Sequence, residues 1–394
     1  MILKKCRVCN SSKLIKVIDL KKQPLANNLV ASLNKKTKLY PLKIFFCKNC
    51  KNSQLSEVVN NKILFNNYYY KSSISLTLKK HFIESINKYI RRFKLNKNSH
   101  IMDVGSNDGI GLLPFKKKNI KNLYGVEPAK NLSKITRKLN IKTYISFLNS
   151  KIARKNINKF DLITASNVFA HVNKIKSLTD NVAKMLKKNG IFIVEVQYLP
   201  RMLIDGSFDN IYHEHVNYWC LTSLEYFFKI NKLLIFDAEL INTHGGSIRV
   251  YIKKKNNLDQ PIRKRLKNIL IFENKIGIGN KNLFKNFKKK IEDRKIKLKK
   301  KIHSLHNKNN YLVGYGAPAK ASTLINFFNI SKYIYYIKDD NPLKNGKFIP
   351  NTNVEILNKF KKNKIDEILV FAWNYFDEIK KKNKKITKKF IKVF

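Results

Sequence analysis

Long apolar runs are absent from this sequence of 394 residues. No stretch approaches the roughly 20 consecutive apolar residues that a helix needs to cross a bilayer, so we expect no membrane segment. The chain begins Met1-Ile2-Leu3-Lys4-Lys5-Cys6 and then turns polar, so it contains no apolar core of a signal peptide there. We therefore expect a soluble, cytoplasmic protein.

Acidic residues are few: 26 Asp and Glu stand against 81 Lys and Arg, which gives a formal net charge of +55 at pH 7. A charge of this size is compatible with nucleic-acid binding. However, the lysines are spread along the whole chain among abundant Asn and Ile, and arginine, which makes bidentate contacts to bases and phosphates, is scarce. The pattern favours a compositional bias, so we expect weak attraction to polyanions and no specific nucleic-acid partner.

Cysteine is limited to five residues, four of which form two Cys-x-x-Cys pairs, Cys6 with Cys9 and Cys47 with Cys50. Disulfides are not expected in a chain without a secretion signal. Two such turns can direct four thiolates at one centre in the tetrahedral geometry that zinc accepts, and they leave no position for a substrate. We predict a structural zinc site; the alternative is reduced cysteines that merely pack. The fifth, Cys220, is predicted to be a small buried or half-buried residue.

Strands and helices alternate after the second cysteine pair. Apolar positions at helical spacing predict a helix over 75–93. The alternation that follows predicts a parallel sheet with helices on both faces. Its strands are predicted at 100–104, 123–127, 160–165 and 190–196, with closing strands at 233–240 and 247–252.

A Lys-rich, helix-prone stretch over 256–308 separates this sheet from a second, smaller doubly wound unit. That unit has predicted strands at 311–315, 334–337 and 367–370 and a predicted helix at 317–328. The fold class is therefore α/β. The predicted domains are residues 1–66, 67–255 and 256–394.

A glycine-rich turn, Asp103 to Gly111, links the first central strand to a helix but lacks the G-x-G-x-x-G fingerprint of dinucleotide sites. Its glycines allow a ligand to approach the backbone. About twenty residues on, Glu127 ends the second strand, where its carboxylate can accept hydrogen bonds from both ribose hydroxyls of an adenosine. Asn167 ends the third strand; it lies beside a cofactor or only caps the next segment. The alternative is a tight turn that binds no ligand.

This pattern resembles the motifs of class I methyltransferases, whose cofactor is S-adenosylmethionine. The resemblance predicts these cofactor-binding residues: Asp103, Gly105, Asn107, Gly109, Glu127 and Asn167.

Histidines cluster in three segments: Tyr212-His213-Glu214-His215, His171 after the third strand, and His244 before two glycines. Imidazole near pH 7 can remove a proton, and a carboxylate beside it can orient it. A metal site is a weaker reading, because the i, i+2 spacing of the histidines lacks further obvious ligands. Polar loop residues without a function are the other alternative. The clustering favours a site.

In chain order, several motifs together resemble the three-domain sugar C-methyltransferases of deoxysugar pathways. They are the two Cys-x-x-Cys pairs, residues 68–73, 103–109, 167–172, 208–215, 244–249 and 314–320, and Asp339-Asp340-Asn341-Pro342-Leu343-Lys344. The family combines a small zinc-binding N-terminal domain, a methyltransferase domain and a C-terminal Rossmann-like domain. It methylates a carbon next to the ketone of a dTDP-linked 4-keto-deoxysugar.

The resemblance implies that His215 is the general base, with Tyr212 and Glu214 close by. It also implies that His171 and a tyrosine of the 68–70 cluster, assigned as Tyr70, line the site. Removal of a proton next to a ketone becomes feasible when a base is positioned and the enolate oxygen is stabilised. His171 or a tyrosine hydroxyl would stabilise that oxygen.

The nucleotide has a predicted place in the third domain, where Gly314 and Gly316 precede a helix that begins near Pro318. That helix N-terminus, with Lys320, could receive a diphosphate, unless the turn serves packing alone. Arg249 and Lys344 are further candidates. Two other functions stay open at this point, an RNA methyltransferase with zinc knuckles and a non-catalytic zinc-containing scaffold. The sequence does not distinguish a monomer from a homodimer.

Overall fold

Three β-sheets organise the chain in the computed structural model, which describes residues 3–32, 37–60, 63–64, 71–308, 310–362 and 364–394. The described strands are β1 (Leu14–Pro24), β2 (Leu39–Cys47), β3 (Ser53–Leu55), β4 (His100–Val104), β5 (Asn122–Val126), β6 (Lys142–Tyr144), β7 (Phe160–Ser166), β8 (Leu186–Gln197), β9 (Asn217–Tyr218), β10 (Leu233–Ile241), β11 (Ser247–Lys254), β12 (Leu312–Tyr315), β13 (Tyr336–Lys338), β14 (Lys347–Phe348), β15 (Glu355–Leu357), β16 (Glu367–Val370) and β17 (Phe390–Lys392).

Helices cover the faces of the two larger sheets and connect their strands. They are α1 (Leu76–Arg92), α2 (Leu113–Lys117), α3 (Lys130–Lys138), α4 (Ser150–Arg154), α5 (Ile175–Met185), α6 (Leu199–Asp205), α7 (Leu221–Ile230), α8 (Lys264–Lys275), α9 (Lys281–Asn307), α10 (Ala319–Phe328) and α11 (Phe376–Asn383). No helix in the described ranges combines the length and the apolar composition that a bilayer crossing requires.

The first sheet is antiparallel, in the order β1-β2-β3-β9. Three of its strands come from the predicted first domain, whereas β9 comes from more than 150 residues further along the chain. Strand β9 lies beyond the predicted limit at 66 but completes the sheet that β1, β2 and β3 form. The domain limits at 66 and 255 therefore remain predictions.

The central sheet has the order β10-β11-β8-β7-β4-β5-β6. Strands β4 to β8 pair in parallel, and β11 pairs antiparallel with both β8 and β10. The predicted strands are confirmed, as is the helix over 75–93, which is α1. Because β4, β5, β7 and β8 run in one direction, their carboxyl ends meet at one edge of the sheet, where α/β proteins bind ligands.

Aromatic packing fixes the elements that surround this edge. The Phe169 ring, fully buried just after β7, contacts the rings of Phe192, Trp219 and Phe228. Burial of each such side chain contributes roughly 1.5–3 kcal/mol. The cluster holds the chain just before His171 against β8 and α7.

The third sheet, in the order β14-β15-β13-β12-β16-β17, confirms the second doubly wound unit. The helix-prone stretch over 256–308 forms two helices, α8 and α9. Gly277 and Gly279 adopt φ of 68° and 93° between them, and Asn280 begins α9 by accepting a hydrogen bond from Asn282 N at 2.9 Å.

Candidate active site and zinc centre

A cavity of about 940 Å³ opens at the carboxyl ends of the central strands. Its size is at the upper end of the range for pockets that bind small molecules and cofactors. All three parts of the chain line it: Asn27 follows β1, the glycine turn and the histidines belong to the central part, and Lys320 lies in the first turn of α10. The cavity wall is therefore built from all three sheet-forming units.

The glycine turn after β4 forms one wall of the cavity. Gly105 has φ of +72° and donates its N–H to Val126 O at 2.8 Å. A Cβ at this position would lie 2.5 Å from Val168 Cγ2, so both conformation and space require glycine. Asn107, also at positive φ, donates its N–H to Glu127 Oε2 at 2.9 Å, which ties the turn to the end of β5.

Two buried carboxyl groups face the cavity, Asp103 and Glu127. Thr164 donates its hydroxyl to Asp103 Oδ1 at 2.7 Å, and burial raises the Asp103 pKa to about 7. Glu127 accepts backbone N–H groups from Asn107 and Ala129, and burial raises its pKa as well. Among the described residues, no Lys, Arg or His lies within 4.0 Å of either carboxyl oxygen. The wall is thus suited to a ligand that brings hydroxyl donors and a cationic group, as S-adenosylmethionine does.

Five of the six predicted cofactor residues line the cavity: Asp103, Gly105, Asn107, Glu127 and Asn167. The sixth, Gly109, lies behind the turn at φ of +86°, where a Cβ would meet Leu139 Cδ1 at 3.3 Å. Asn167 has φ of 58° and donates its N–H to Glu195 O at 2.7 Å, which turns the chain at the end of β7.

His215 and Tyr212 form a hydrogen-bonded pair on the cavity wall. His215 Nδ1 lies 2.8 Å from Asn210 O, and because a carbonyl only accepts, Nδ1 carries the hydrogen. In the neutral ring Nε2 is then the acceptor, and it lies 2.6 Å from the Tyr212 hydroxyl. Burial and the neighbouring His171 hold the pKa of His215 well below its usual value. The ring is therefore a neutral base whose reactive nitrogen is defined.

His171 and Glu214 lie beside this pair. The rings of His171 and His215 are 4.8 Å apart between centroids, and burial lowers the His171 pKa to about 4. Glu214 is 3 % exposed; it accepts a 2.7 Å hydrogen bond from Asn27 Nδ2, and burial raises its pKa to about 7. Glu214 supports the wall from behind, whereas His171 is part of the cavity surface. Tyr70 lies outside the described residues.

The third part of the chain reaches the cavity through Lys320 on the first turn of α10. Lys320 Nζ donates to His244 O at 3.3 Å and lies 4.6 Å from the centre of the Trp373 ring. Trp373 in turn donates its indole N–H to Asp209 Oδ2 at 2.6 Å. Burial lowers the Lys320 pKa to about 8. Within the described chain no carboxylate lies within 4.0 Å of this ammonium group, and the more distant Asp209 carboxylate offsets only part of the effect of burial. The cavity wall therefore carries a cation without a direct ion-pair partner.

The four paired cysteines come together, with their Sγ atoms within 4.8 Å of one another. Cys6 and Cys50 are 3.5 Å apart, as are Cys9 and Cys47. Hydrogen bonding to Cys50 lowers the pKa of the Cys6 thiol to about 5. Four converging sulfurs fit a tetrahedral zinc ion with no open position. Cys220 is buried, as predicted, and is not one of the converging sulfurs.

Sequence reasoning missed Asn27 and Glu195, both of which line the cavity. Arg249 and His81 lie within hydrogen-bond distance of the Glu195 carboxylate at 2.9 Å each. Burial alone would raise the Glu195 pKa, but these partners outweigh it and lower the pKa to about 2. The available signal was a single acidic residue inside the apolar strand β8, which requires a buried partner.

The strand order, the glycine turn and the acidic residue that follows β5 define a class I S-adenosylmethionine-dependent methyltransferase fold. Family models match three consecutive segments: a zinc binding domain over residues 6–65, a methyltransferase domain over 78–230 and a C-methyltransferase C-terminal domain over 242–393. The C-methyltransferase NovU of Streptomyces niveus is 27% identical over 382 residues, which cover 95% of this chain and 90% of NovU.

Among solved structures, a methyltransferase of Clostridium acetobutylicum covers 45% of this chain and 92% of its own, at 17% identity and a TM-score of 0.37. The PH0226 protein of Pyrococcus horikoshii covers 47% and 95%, at 14% identity and a TM-score of 0.39.

The chain belongs to the three-domain, S-adenosylmethionine-dependent C-methyltransferases with a zinc-binding N-terminal domain. Its cofactor is S-adenosylmethionine, and zinc is the metal of the four-cysteine site. The expectation of an enzyme, rather than a non-catalytic scaffold, is thus confirmed.

Proposed function

We propose that the enzyme methylates a carbon next to the ketone of a nucleotide-linked keto-deoxysugar, in particular a dTDP-linked one. The observation that carries the proposal is a neutral, oriented imidazole, His215, on the same cavity as the glycine turn and Lys320, which has no carboxylate within 4.0 Å among the described residues. A C–H bond next to a ketone needs a base of this kind, and a nucleotide diphosphate needs a cation.

In this proposal His215 Nε2 removes the proton from the sugar carbon. The Asn210 carbonyl keeps the ring in the required tautomer and orientation. The Tyr212 hydroxyl holds Nε2 before the substrate binds, and once displaced it can donate to the enolate oxygen. His171, whose ring faces that of His215, is the second candidate donor. S-adenosylmethionine, when bound, supplies the methyl group as an electrophilic sulfonium.

The cofactor residues in this proposal are the five that line the cavity, with Gly109 shaping the turn. Asp103 and Glu127 supply acceptors for the amino group and the ribose hydroxyls, respectively. Asn167 lies at the end of β7, beside the expected position of the methionine part.

The diphosphate is assigned to Lys320 and the first turn of α10. Pro318, Ala319 and Lys320 all line the cavity, and backbone N–H groups at a helix N-terminus bind anions. Lys344 also lines the cavity but is already paired with Asp339 at 3.1 Å. Arg249 is committed to Glu195 and Glu239. Lys320 is therefore the cation best placed to meet an anionic ligand.

The test is incubation of the zinc-loaded enzyme with methyl-labelled S-adenosylmethionine and a panel of dTDP-linked keto-sugars, followed by mass spectrometry. We expect one methyl group on a carbon next to the ketone of at least one sugar. Total RNA serves as the competing substrate. Label transferred to RNA, or to no sugar on the panel, would contradict the proposal.

A further inference from the structure

Hydrogen bonds and a strand pairing connect the four-cysteine site to the segments that carry His171 and His215. The connection begins at Gln54 in β3, whose side-chain Nε2 donates to Cys6 Sγ at 3.1 Å. The Gln54 Oε1 atom accepts the backbone N–H of Arg7 at 2.9 Å. Both polar atoms of the Gln54 side chain therefore make hydrogen bonds to the first Cys-x-x-Cys turn.

The backbone of Gln54 faces the catalytic segment. Gln54 is the register partner of Asn217 in the antiparallel pairing of β3 with β9, and Leu55 N donates to Val216 O at 3.0 Å. β3 is entirely buried. Strand β9 is only two residues long, so its position depends on this pairing rather than on its own propensity.

Asn217 in turn fixes the backbone on both sides of His171. Its backbone N–H donates to Ala170 O at 3.0 Å, and its side-chain Nδ2 donates to Val172 O at 2.9 Å. The two hydrogen bonds clamp the residues immediately before and after His171. Asn217 also lies two residues after His215. Neither Gln54 nor Asn217 lines the cavity.

We propose that Gln54 and Asn217 form a positioning relay that sets the relative placement of His171 and His215 from the zinc-binding sheet. The zinc-binding part would then be a component of the active site rather than an attached stabilising module. The reactive atoms of an enzyme must be held within a fraction of an ångström, because a displacement of about 1 Å can cost about 100-fold in rate. The catalytic consequence of the relay rests on the proposed function; its geometric consequence does not.

The first test needs no sugar substrate. Asn217→Ala and Gln54→Ala are prepared as full-length, zinc-loaded proteins with ¹⁵N-labelled histidine, and the ring nitrogens are followed by NMR. The relay predicts shifted ring resonances for both His171 and His215 in each variant, with those of the exposed His303 and His306 unchanged. Unchanged His171 and His215 resonances in both variants would overturn the relay even if the enzyme methylates a sugar.

Two substitutions elsewhere provide matched controls. Asn156→Ala removes a buried amide that donates to Tyr144 and Ile152, away from the cavity. Gln23→Ala removes a buried amide that donates to Leu20 O within the first sheet. These controls lose comparable hydrogen bonds, so they are expected to lower the melting temperature without shifting the His171 and His215 resonances. Equal resonance shifts in controls and relay variants would also overturn the proposal.

Kinetics on a keto-sugar that the wild-type enzyme methylates provide the second test. Each relay variant is expected to lower kcat by about 10- to 100-fold, with zinc content and S-adenosylmethionine affinity preserved and KM changed by less than about 3-fold. The double variant is expected to lose little more than the more damaging single variant, because both act on one chain of contacts. Wild-type kcat in both single variants, or fully additive losses, would contradict the relay. Shifted resonances in a protein that methylates no sugar would retain the relay and remove the proposed substrate class.

Discussion

The imidazole rings of His171 and His215 meet edge to face with their centroids 4.8 Å apart. His171 follows β7, and His215 precedes β9, so two separate loops bring them together. Burial first, and then the proximity of His171, lowers the pKa of His215. Both rings are thus neutral at pH 7, which allows one to take a proton while the other donates a hydrogen bond.

Loss of a zinc ligand should lower both the zinc content and the thermal stability of the protein. Cys47→Ser removes one of four converging sulfurs, and the free energy of metal binding to such sites is part of the folding free energy. We expect less than one zinc per chain and a melting temperature lower by about 5 to 10 °C. Metal analysis and thermal unfolding measure both.

Cys220→Ser is the matched control for that experiment, because Cys220 is also buried but lies outside the sulfur cluster. It should keep a full complement of zinc. Zinc retained in Cys47→Ser, or lost equally in both variants, would contradict the assignment.

Gly105→Ala should weaken cofactor binding. The added Cβ meets Val168 Cγ2 at 2.5 Å and occupies a positive φ, so the turn must shift at the cavity wall. We expect the dissociation constant of S-adenosylmethionine to rise by about 10-fold or more, as measured by calorimetry. Gly346 has a similar φ of 69° but no atom within 4 Å of its Cβ position, so Gly346→Ala controls for backbone strain alone. Wild-type affinity in Gly105→Ala would exclude this turn from the cofactor site.

Lys320 should produce a basic limb in the pH profile. The pKa of the free enzyme's Lys320 is lowered to about 8 by burial, and only the ammonium form attracts a diphosphate. The favourable charge is present below pH 8 and lost as the pH rises through that value. We therefore expect kcat/KM for the nucleotide sugar to fall above about pH 8, since this parameter reports the free enzyme.

In Lys320→Met, kcat/KM should be low at neutral pH and the basic limb at pH 8 should disappear. Lys332→Met, at an exposed lysine of the same part of the chain, should keep the limb. A basic limb that persists unchanged in Lys320→Met would assign it to another group.

Apolar patterning predicted the strands of the two α/β sheets well wherever a strand is buried on both faces. β4 and β7 are examples, because a continuous apolar run identifies each of them as a buried strand from the local sequence alone. The same reasoning missed β6 and β9. Lys142-Thr143-Tyr144 is a short edge strand, and Asn217-Tyr218 is a strand only because β3 lies beside it.

The candidate site was predictable in its residue types but not in its geometry. The motifs predicted that Tyr212, His171 and His215 would gather at one cavity, and the structure brings them together. Sequence spacing carries no information on which histidine nitrogen bears hydrogen, because that depends on the Asn210 carbonyl. The hydrogen bond from Asn27 to Glu214 could not be predicted from the sequence either, because the two residues are 187 positions apart in the chain.

The most direct test of the account is His215→Gln, assayed with S-adenosylmethionine and a methylated keto-sugar. We predict that methyl transfer and solvent deuterium exchange at the sugar carbon both fall by at least about 100-fold. S-adenosylmethionine should still bind within about two-fold of the wild-type affinity, and His306→Gln, at an exposed position of α9, should behave as wild type. Wild-type transfer or exchange by His215→Gln would contradict the central claim that His215 is the base.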